Sequence, residues 1–148
     1  MKKQFLKIYN TFKLDFYRSL NFGEEENALT VSESFCLEVI NGLRKPTVRD
    51  VANFMKISQP NAAYKISNLE DKGYIVKQQS KEDKRVYYLN VTKKYDKFSQ
   101  KKNKHLIEIL DELEEKLSSS DLQKLEDVLK IMYESLPTAD DLLKKTNK

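Results

Sequence analysis

The side chains best suited to molecular recognition in this chain follow Ser58, at the start of one amphipathic segment. Gln and Asn amides can form two hydrogen bonds to the edge of an adenine, and apolar or aromatic groups can contact the methyl group of thymine. Residues of these types stand on one face of the segment: Gln59, Pro60, Asn61, Tyr64 and Lys65. We predict that this face reads DNA bases. The alternative, in which these residues only face water, stays open at this point.

Contacts to phosphate are predicted beside this face. Backbone N–H groups at the start of a helix are free to bind anions, and hydroxyl and amide side chains commonly donate to phosphate oxygens. Thr47 and Ser58 stand at the starts of two successive predicted helices, and Asn68 lies later in the second. We therefore expect these three residues to contact the DNA backbone.

A short charged segment separates two β-prone runs, residues 74–79 and 86–91, and predicts a hairpin. Its tip carries four charged residues of interest: Lys81, Asp83, Lys84 and Arg85. An Arg that projects from a hairpin suits a narrow minor groove, and Asp83 can hold Arg85 by a charge-assisted hydrogen bond. A charged tip alone indicates only a solvated turn, so this interpretation depends on the helices beside it.

Metal and catalytic chemistry are disfavoured by the composition. The chain has one histidine (His105), one cysteine (Cys36) and three glycines, so neither a His/Cys metal cluster nor a glycine-rich phosphate loop can form. We expect no metal, no cofactor and no enzyme; catalysis by Tyr or Asp pairs is a remote alternative. Cys36 stands among apolar neighbours, which favours core packing over redox sensing.

Apolar residues at steps of three and four predict the helices that position these groups. A first helix covers residues 3–20, and a second is capped by Ser32. The inner face of the second is expected to hold Phe35, Cys36, Val39, Ile40 and Leu43. Thr47 and Asp50 resemble a capping box before a short third helix. Ser58 is expected to cap the fourth helix, which buries Ala62, Ile66 and Leu69 and ends at Gly73.

Two further helices follow the hairpin. Thr92 is expected to cap a long helix over residues 93–117, and Ser120 with Gln123 to start a last one that ends at Pro137. The predicted fold is mainly α with a small β-wing: a winged helix-turn-helix over residues 31–92, flanked by a helical dimerisation region over 1–30 and 93–137. We expect residues 138–148 to fray.

Dimerisation is predicted from the three amphipathic helices that flank the winged helix-turn-helix. This central unit of about 60 residues, called the reader below, is too small to cover the apolar faces of all three helices. Packing of those helices within one chain is the alternative. Two readers on one dyad would address half-sites about one turn of DNA apart. Charge agrees with a polyanion partner, since residues 74–105 carry ten Lys or Arg against three acids, while residues 106–148 carry six against eleven.

The sequence resembles the multiple-antibiotic-resistance regulator (MarR) family. The resemblance rests on the Ser-capped helix and Leu-Glu-x-Lys-Gly exit within residues 58–75, the Asp83-x-Arg85 wing, and the strand end at residues 89–92. It implies an obligate homodimer that binds palindromic operators, usually as a repressor, and that often releases DNA on sensing a small phenolic or lipophilic effector or an oxidant. Arg85 would enter the minor groove and Asp83 would brace it. Lys56 and Lys65 depart from the family's usual Gly and aliphatic residue.

An effector site is expected where the first, second and fifth helices meet the reader. Its candidate walls are Phe12, Phe16, Tyr17, Phe35 and Val39, although such an aromatic stripe is more often core. No long apolar run or signal peptide is seen, so we expect a cytoplasmic protein. The main rival function is a winged-helix protein-interaction module without DNA binding, which would have no need of Lys84 and Arg85.

Overall fold

The computed structural model describes residues 1–19 and 29–146, with side chains for 1–18 and 29–144. The predicted fold class, mainly α with a small β-wing, is confirmed: the two strands form one antiparallel sheet, with Ile75 paired to Val91 and Gln79 to Tyr87. In chain order the elements are α1 (Lys2–Ser19), α2 (Val31–Leu43), α3 (Val48–Met55), α4 (Gln59–Asp71), β1 (Ile75–Gln79), β2 (Tyr87–Val91), α5 (Lys93–Lys116), α6 (Ser119–Glu134) and α7 (Ala139–Thr146).

The core lies between α2, α3, α4 and the base of the hairpin. Its fully buried large side chains are Leu37, Ile40, Val51, Ile66, Leu69, Ile75 and Leu89. The predicted inner face of α2 is correct for Cys36, Val39, Ile40 and Leu43, but Phe35 is 42% exposed. The buried arc of α2 is centred on Cys36, Leu37 and Ile40, so Phe35 falls on its outer edge.

Two helix starts differ from the predicted ones. The N-cap of α2 is Thr30 rather than Ser32: the Thr30 hydroxyl accepts from the Glu33 N–H at 3.2 Å, and the Thr30 N–H donates to the Glu33 carboxylate at 2.8 Å. The N-cap of α6 is Ser118 rather than Ser120. Ser118 accepts from the N–H of Asp121 at 3.2 Å, and an acid in the first turn also suits the positive end of the helix.

The other predicted caps are confirmed. Thr47 and Asp50 form a capping box at the start of α3, Ser58 caps α4, and Thr92 caps α5. Gly73 follows α4 with a φ of 75°, the left-handed conformation that glycine adopts without steric cost. The Thr92 hydroxyl also donates to the carbonyl oxygen of Gly73 at 2.7 Å, which joins the start of α5 to the end of α4.

The predicted frayed tail is wrong for residues 139–146, which form α7. The Thr138 N–H donates to the Asp141 carboxylate at 3.0 Å and the Asp141 N–H donates back to the Thr138 hydroxyl at 3.2 Å. A third capping box therefore starts a new helix after Pro137. Ala139 and Leu143 then pack against the core, where α7 contacts α3 and α2. The tail is therefore held by both a local signal and tertiary packing.

The flanking helices α1, α5 and α6 leave much apolar surface uncovered. Within the described residues none of α6 is buried, and Ile131 and Tyr133 are about two-thirds exposed. On α1, Ile8 and Tyr9 are each 52% exposed. Soluble monomers rarely leave so many large apolar side chains together in water. No helix in the described part of the chain combines the length and apolarity needed to cross a bilayer.

Candidate nucleic-acid interface

The first turns of α4 present the predicted reading face to solvent. Ser58 caps the helix through its hydroxyl, which accepts from the Asn61 N–H at 3.4 Å, and Pro60 occupies the first turn. Gln59, Pro60, Asn61 and Tyr64 are exposed, and Tyr64 is 67% accessible. On the opposite side Ala62, Ile66 and Leu69 are fully buried. The helix is thus anchored along one face while its polar tip stands free.

Lys65 is half-buried, between the anchored face and the exposed tip of α4. A lysine in this position can pack its aliphatic stem against the protein and keep its ammonium at the surface. The structure therefore places all five predicted reading residues on one end of α4, with Lys65 at the border of the set.

The turn between α3 and α4 is tight. Lys56 ends α3 with φ 53° and ψ 45°, as expected for a residue that stands where the resembled family often has glycine. The Ile57 N–H donates to the Ala52 carbonyl at 3.1 Å, which closes the turn. A left-handed non-glycine residue costs roughly 1–2 kcal/mol, and the packing of α3 on α4 offsets it.

The hairpin tip holds its cationic side chains outward. Lys81, Lys84 and Arg85 are exposed, and the Arg85 side chain is 90% accessible. Arg85 Nε donates to Asp83 Oδ1 at 3.1 Å and Nη2 donates to Asp83 Oδ2 at 3.2 Å. The sequence predicted a charge-assisted hydrogen bond between these residues, and the structure has two in parallel. Gln79 Nε2 donates to the Lys84 carbonyl at 2.6 Å and fixes the turn.

The Arg85 side-chain and backbone hydrogen bonds lower the pKa of the Asp83 carboxyl below its ordinary value. Asp83 is therefore a carboxylate at neutral pH and a full partner for the guanidinium. The ion pair restricts the orientation of the Arg85 side chain. It leaves most of the guanidinium surface accessible to a second anion.

Of the three residues predicted to contact phosphate, Ser58 is exposed whereas Thr47 and Asn68 are half-buried. Ser58 is exposed and its hydroxyl hydrogen is not used by the cap. The Thr47 hydroxyl, by contrast, donates to Asp50 Oδ2 at 2.8 Å, and Asn68 Nδ2 donates to Glu33 Oε1 at 3.2 Å. These bonds use the Thr47 hydroxyl hydrogen and one of the two amide hydrogens of Asn68, so phosphate contacts by these two residues stay predictions.

Two ion pairs beside the reader were not predicted from the sequence. Lys102 of α5, with a side chain only 6% exposed, contacts Glu38 of α2 at 2.5 Å and lies over the ring of Phe16 of α1 at 4.6 Å. Lys72, at the end of α4, contacts Glu33 of α2 at 2.8 Å. For Glu33 a signal was present, since Thr30 and Glu33 have the spacing of a capping box; no local pattern marks Glu38.

The predicted effector walls differ in exposure among the described residues, and an effector site formed by them stays a prediction. Val39 is buried and Phe16 half-buried, but Phe12, Tyr17 and Phe35 are between 36% and 57% exposed. A shallow cavity of about 200 Å³ does lie between the end of α2 and β2, yet none of the five predicted residues lines it. Among the described residues, Phe16 of α1 lies against Lys102 of α5 at 4.6 Å, whereas the other aromatic residues of α1 are exposed.

Cys36 is completely buried in α2. Burial, the largest influence, raises the pKa of its thiol to about 11; nearby Lys65 lowers that pKa and Glu33 raises it. The thiolate that oxidants attack is therefore scarce at neutral pH. Among the described residues, no group of His, Cys, Asp and Glu is arranged to hold a metal ion.

A braced helix with a free polar tip, next to a two-stranded hairpin with a cationic tip, defines a winged helix-turn-helix protein. Residues 29–87 match the MarR family. Over these residues the chain is similar to the MarR family, which confirms the resemblance inferred from its sequence. Helices α1, α5, α6 and α7 lie outside the matched segment.

Solved structures share the fold over nearly the whole chain. Streptococcus pneumoniae FabT in complex with DNA is 20% identical, with 90% of this chain and 92% of that chain covered and a TM-score of 0.55. The transcriptional regulator Tm0710 of Thermotoga maritima is 16% identical, with coverage of 88% and 92% and a TM-score of 0.62. An E. coli MarR mutant complexed with operator DNA is 17% identical, with coverage of 88% and 92% and a TM-score of 0.53. No curated protein matches the chain.

Proposed function

We propose that this protein is a DNA-binding transcriptional regulator that works as a homodimer. The observation that carries the proposal is the pairing of two exposed surfaces on one reader: the uncharged polar tip of α4 and the cationic tip of the hairpin. A helix tip of this kind fits the major groove, and an Arg on a hairpin fits the adjacent minor groove. The rival, a protein-interaction module, does not explain why Lys81, Lys84 and Arg85 are all directed outward.

The proposed docking divides the contacts by type. Gln59, Asn61 and Tyr64 contact base edges, with Pro60 and Lys65 at the border, and Ser58 with the free N–H groups of the first turn contacts a phosphate. The wing residues add sequence-independent attraction. The similar structures of FabT and of the MarR mutant are complexes with DNA, which supports the same use of the fold here.

The homodimer is proposed from the exposed apolar faces of α1, α5 and α6. Their exposed apolar residues, each at least half accessible, include Ile8, Tyr9, Ile107, Val128, Leu129 and Ile131. We propose that a second copy of the chain covers these faces. In a dimer with two-fold symmetry, the same apolar face of each subunit packs against that of the other. A dimer would present two α4 tips about one helical turn apart and so bind a palindromic operator, where occupancy would block transcription.

Release by a small lipophilic or phenolic effector forms the finer part of the proposal. Phe12, Tyr17 and Phe35 are open in the single chain, so the site would be completed only when a second subunit covers them. The effector would then bind at the junction of the dimer helices and the reader, and it would act by changing the separation of the two α4 tips.

The test is selection of a preferred duplex from random sequences, followed by affinity measurements over a range of salt concentrations. A reader that neutralises several phosphates loses affinity with a log–log slope of about −0.9 for each phosphate. We expect a palindromic consensus and a steep negative slope. Absence of any enriched sequence, together with a flat salt dependence, would favour the protein-interaction module. Sedimentation of the free protein measures the dimer separately.

A further inference from the structure

One charged network at the far end of α4 carries an inference beyond the DNA contacts themselves. Glu33 is only 5% exposed although it bears a carboxylate. It accepts three hydrogen bonds from other residues: from the Thr30 N–H at 2.8 Å, from Asn68 Nδ2 at 3.2 Å and from Lys72 Nζ at 2.8 Å. Buried carboxylates are costly unless they are fully partnered, so this network has a defined geometry.

The partners of Glu33 come from two different helices. Thr30 is the N-cap of α2, whereas Asn68 and Lys72 lie four residues apart at the C-terminal end of α4. The Glu33 carboxylate lies at the positive end of the α2 dipole and the Lys72 ammonium at the negative end of the α4 dipole. Both charges are therefore stabilised by the helix next to them. Glu33 therefore fixes the end of α4 to the start of α2 in both distance and direction.

The reading residues lie at the opposite end of the same helix. α4 has 13 residues and is thus about 20 Å long, so a tilt of about 10° at its C-terminal end moves its tip by about 3 Å. Base-edge hydrogen bonds do not survive such a displacement, because recognition groups must be held within about 0.5 Å. The attraction to phosphates, in contrast, tolerates it.

We propose that Glu33, through Lys72 and Asn68, is a positioning residue that sets the angle at which α4 enters the major groove. The proposal rests on the proposed function and deepens it. Glu33 would control the preference for the operator sequence, whereas the phosphate contacts would supply the affinity for any duplex. Glu33 does not touch DNA; it acts only through the orientation of α4. Loss of the network should lower the preference for the operator while leaving binding to unrelated DNA almost intact.

The main experiment compares Glu33→Gln, Lys72→Met and the double variant with the wild type. The measured quantity is the ratio of affinities for the selected operator and for an unrelated duplex of equal length at one salt concentration. We expect each single variant to lower that ratio at least tenfold, the double variant to lower it no further, and the affinity for unrelated DNA to change by less than threefold.

A matched control is available on the same helix. Glu70 and Lys77 form an ion pair at 2.6 Å that also joins the end of α4 to a neighbouring element, but their side chains are 37% and 32% exposed. Glu70→Gln should leave the ratio within twofold of wild type. An unchanged ratio in Glu33→Gln and Lys72→Met, in a wild type that prefers its operator, overturns the inference and leaves the proposed function standing.

A readout without DNA separates the two proposals fully. Spin labels at Asn41→Cys on α2 and Asn61→Cys on α4, in a Cys36→Ser background, report the distance between the helices. Glu33→Gln should broaden the distance distribution, and Glu70→Gln should not. If Glu33→Gln leaves it as narrow as in the parent, the inference fails whether or not the protein binds DNA. A wild type without operator preference would instead contradict the proposed function.

Discussion

Arg85 and Asp83 face each other across the hairpin tip as a two-point pair, with Nε to Oδ1 at 3.1 Å and Nη2 to Oδ2 at 3.2 Å. The pair leaves the guanidinium 90% accessible and yet restricts its direction. An arginine prepared in this way loses less conformational freedom when it enters a groove. The relation between these two residues therefore makes the wing a directed contact instead of a diffuse positive charge.

Arg85→Ala should weaken binding to all duplexes by about 1–3 kcal/mol, with a small loss of sequence preference, because a minor-groove Arg contributes mainly attraction. Asp83→Asn should weaken it less, since the guanidinium remains but is no longer held by a charge. Titrations of operator and unrelated DNA with both variants measure this. Equal affinities for wild type and Arg85→Ala would remove the wing from the interface.

Asn61→Ala should act on preference instead of overall affinity. One bidentate amide contact is worth about 1–3 kcal/mol of discrimination at a single base pair. Repeating the sequence selection with the variant should therefore give a consensus relaxed at one position in each half-site and unchanged elsewhere. A consensus identical to that of the wild type would show that the α4 tip does not read bases through this amide.

The packing of α7 predicts different effects for two adjacent leucines. Leu143 packs against the core, whereas Leu142 is exposed. Leu143→Asp should lower the free energy of unfolding by about 1–3 kcal/mol, because a charge is placed in a half-buried apolar contact. Leu142→Asp is the matched control and should change it by less than about 0.5 kcal/mol. Denaturant unfolding of both variants tests this; equal losses would contradict the packing.

The Glu33 network predicts acid sensitivity. Burial opposes ionisation of Glu33, but the hydrogen bonds from Lys72 and Thr30 outweigh it and lower its pKa below the ordinary 4.5. A carboxyl whose pKa is lower in the folded state adds stability above pH 4.5, and that stability is lost as the pH falls through the folded-state pKa. Unfolding measured from pH 6 to pH 3 should show a shallower decline in Glu33→Gln than in wild type. Parallel curves would contradict the assignment.

Cys36 predicts resistance to oxidants. With the thiol fully buried and its pKa raised to about 11, hydrogen peroxide should leave operator binding unchanged. The Cys36→Ser variant provides the comparison, since serine cannot be oxidised in this way. If peroxide abolished binding by the wild type and spared Cys36→Ser, the thiol would be a sensor after all.

Local signals explain most of what the sequence predicted correctly. The caps at Thr47, Ser58 and Thr92, the glycine at Gly73 and the pairing of Asp83 with Arg85 all depend on neighbours within a few residues. Such contacts are visible as short motifs. The polar α4 tip was predictable for the same reason, because its exposure follows from the apolar face on the opposite side.

The failures came from competition and from tertiary contacts. Ser32 and Ser120 are good capping residues, but Thr30 and Ser118 have an acid three residues later and outcompete them. The hydrogen bond between Asn68 and Glu33, 35 positions earlier, was not predicted because no local motif relates the two residues. The helix after Thr138 needed both a capping box and the tertiary site for Leu143.

Footprinting of the selected operator with hydroxyl radicals and with a methylating reagent shows whether two α4 tips and two hairpin tips contact one duplex. We expect two symmetric half-sites whose centres are about 10 base pairs apart. Each should show major-groove protection flanked by minor-groove protection, and the latter should disappear in Arg85→Ala. One unrepeated patch of protection, or an Arg85→Ala footprint equal to that of the wild type, would contradict this expectation.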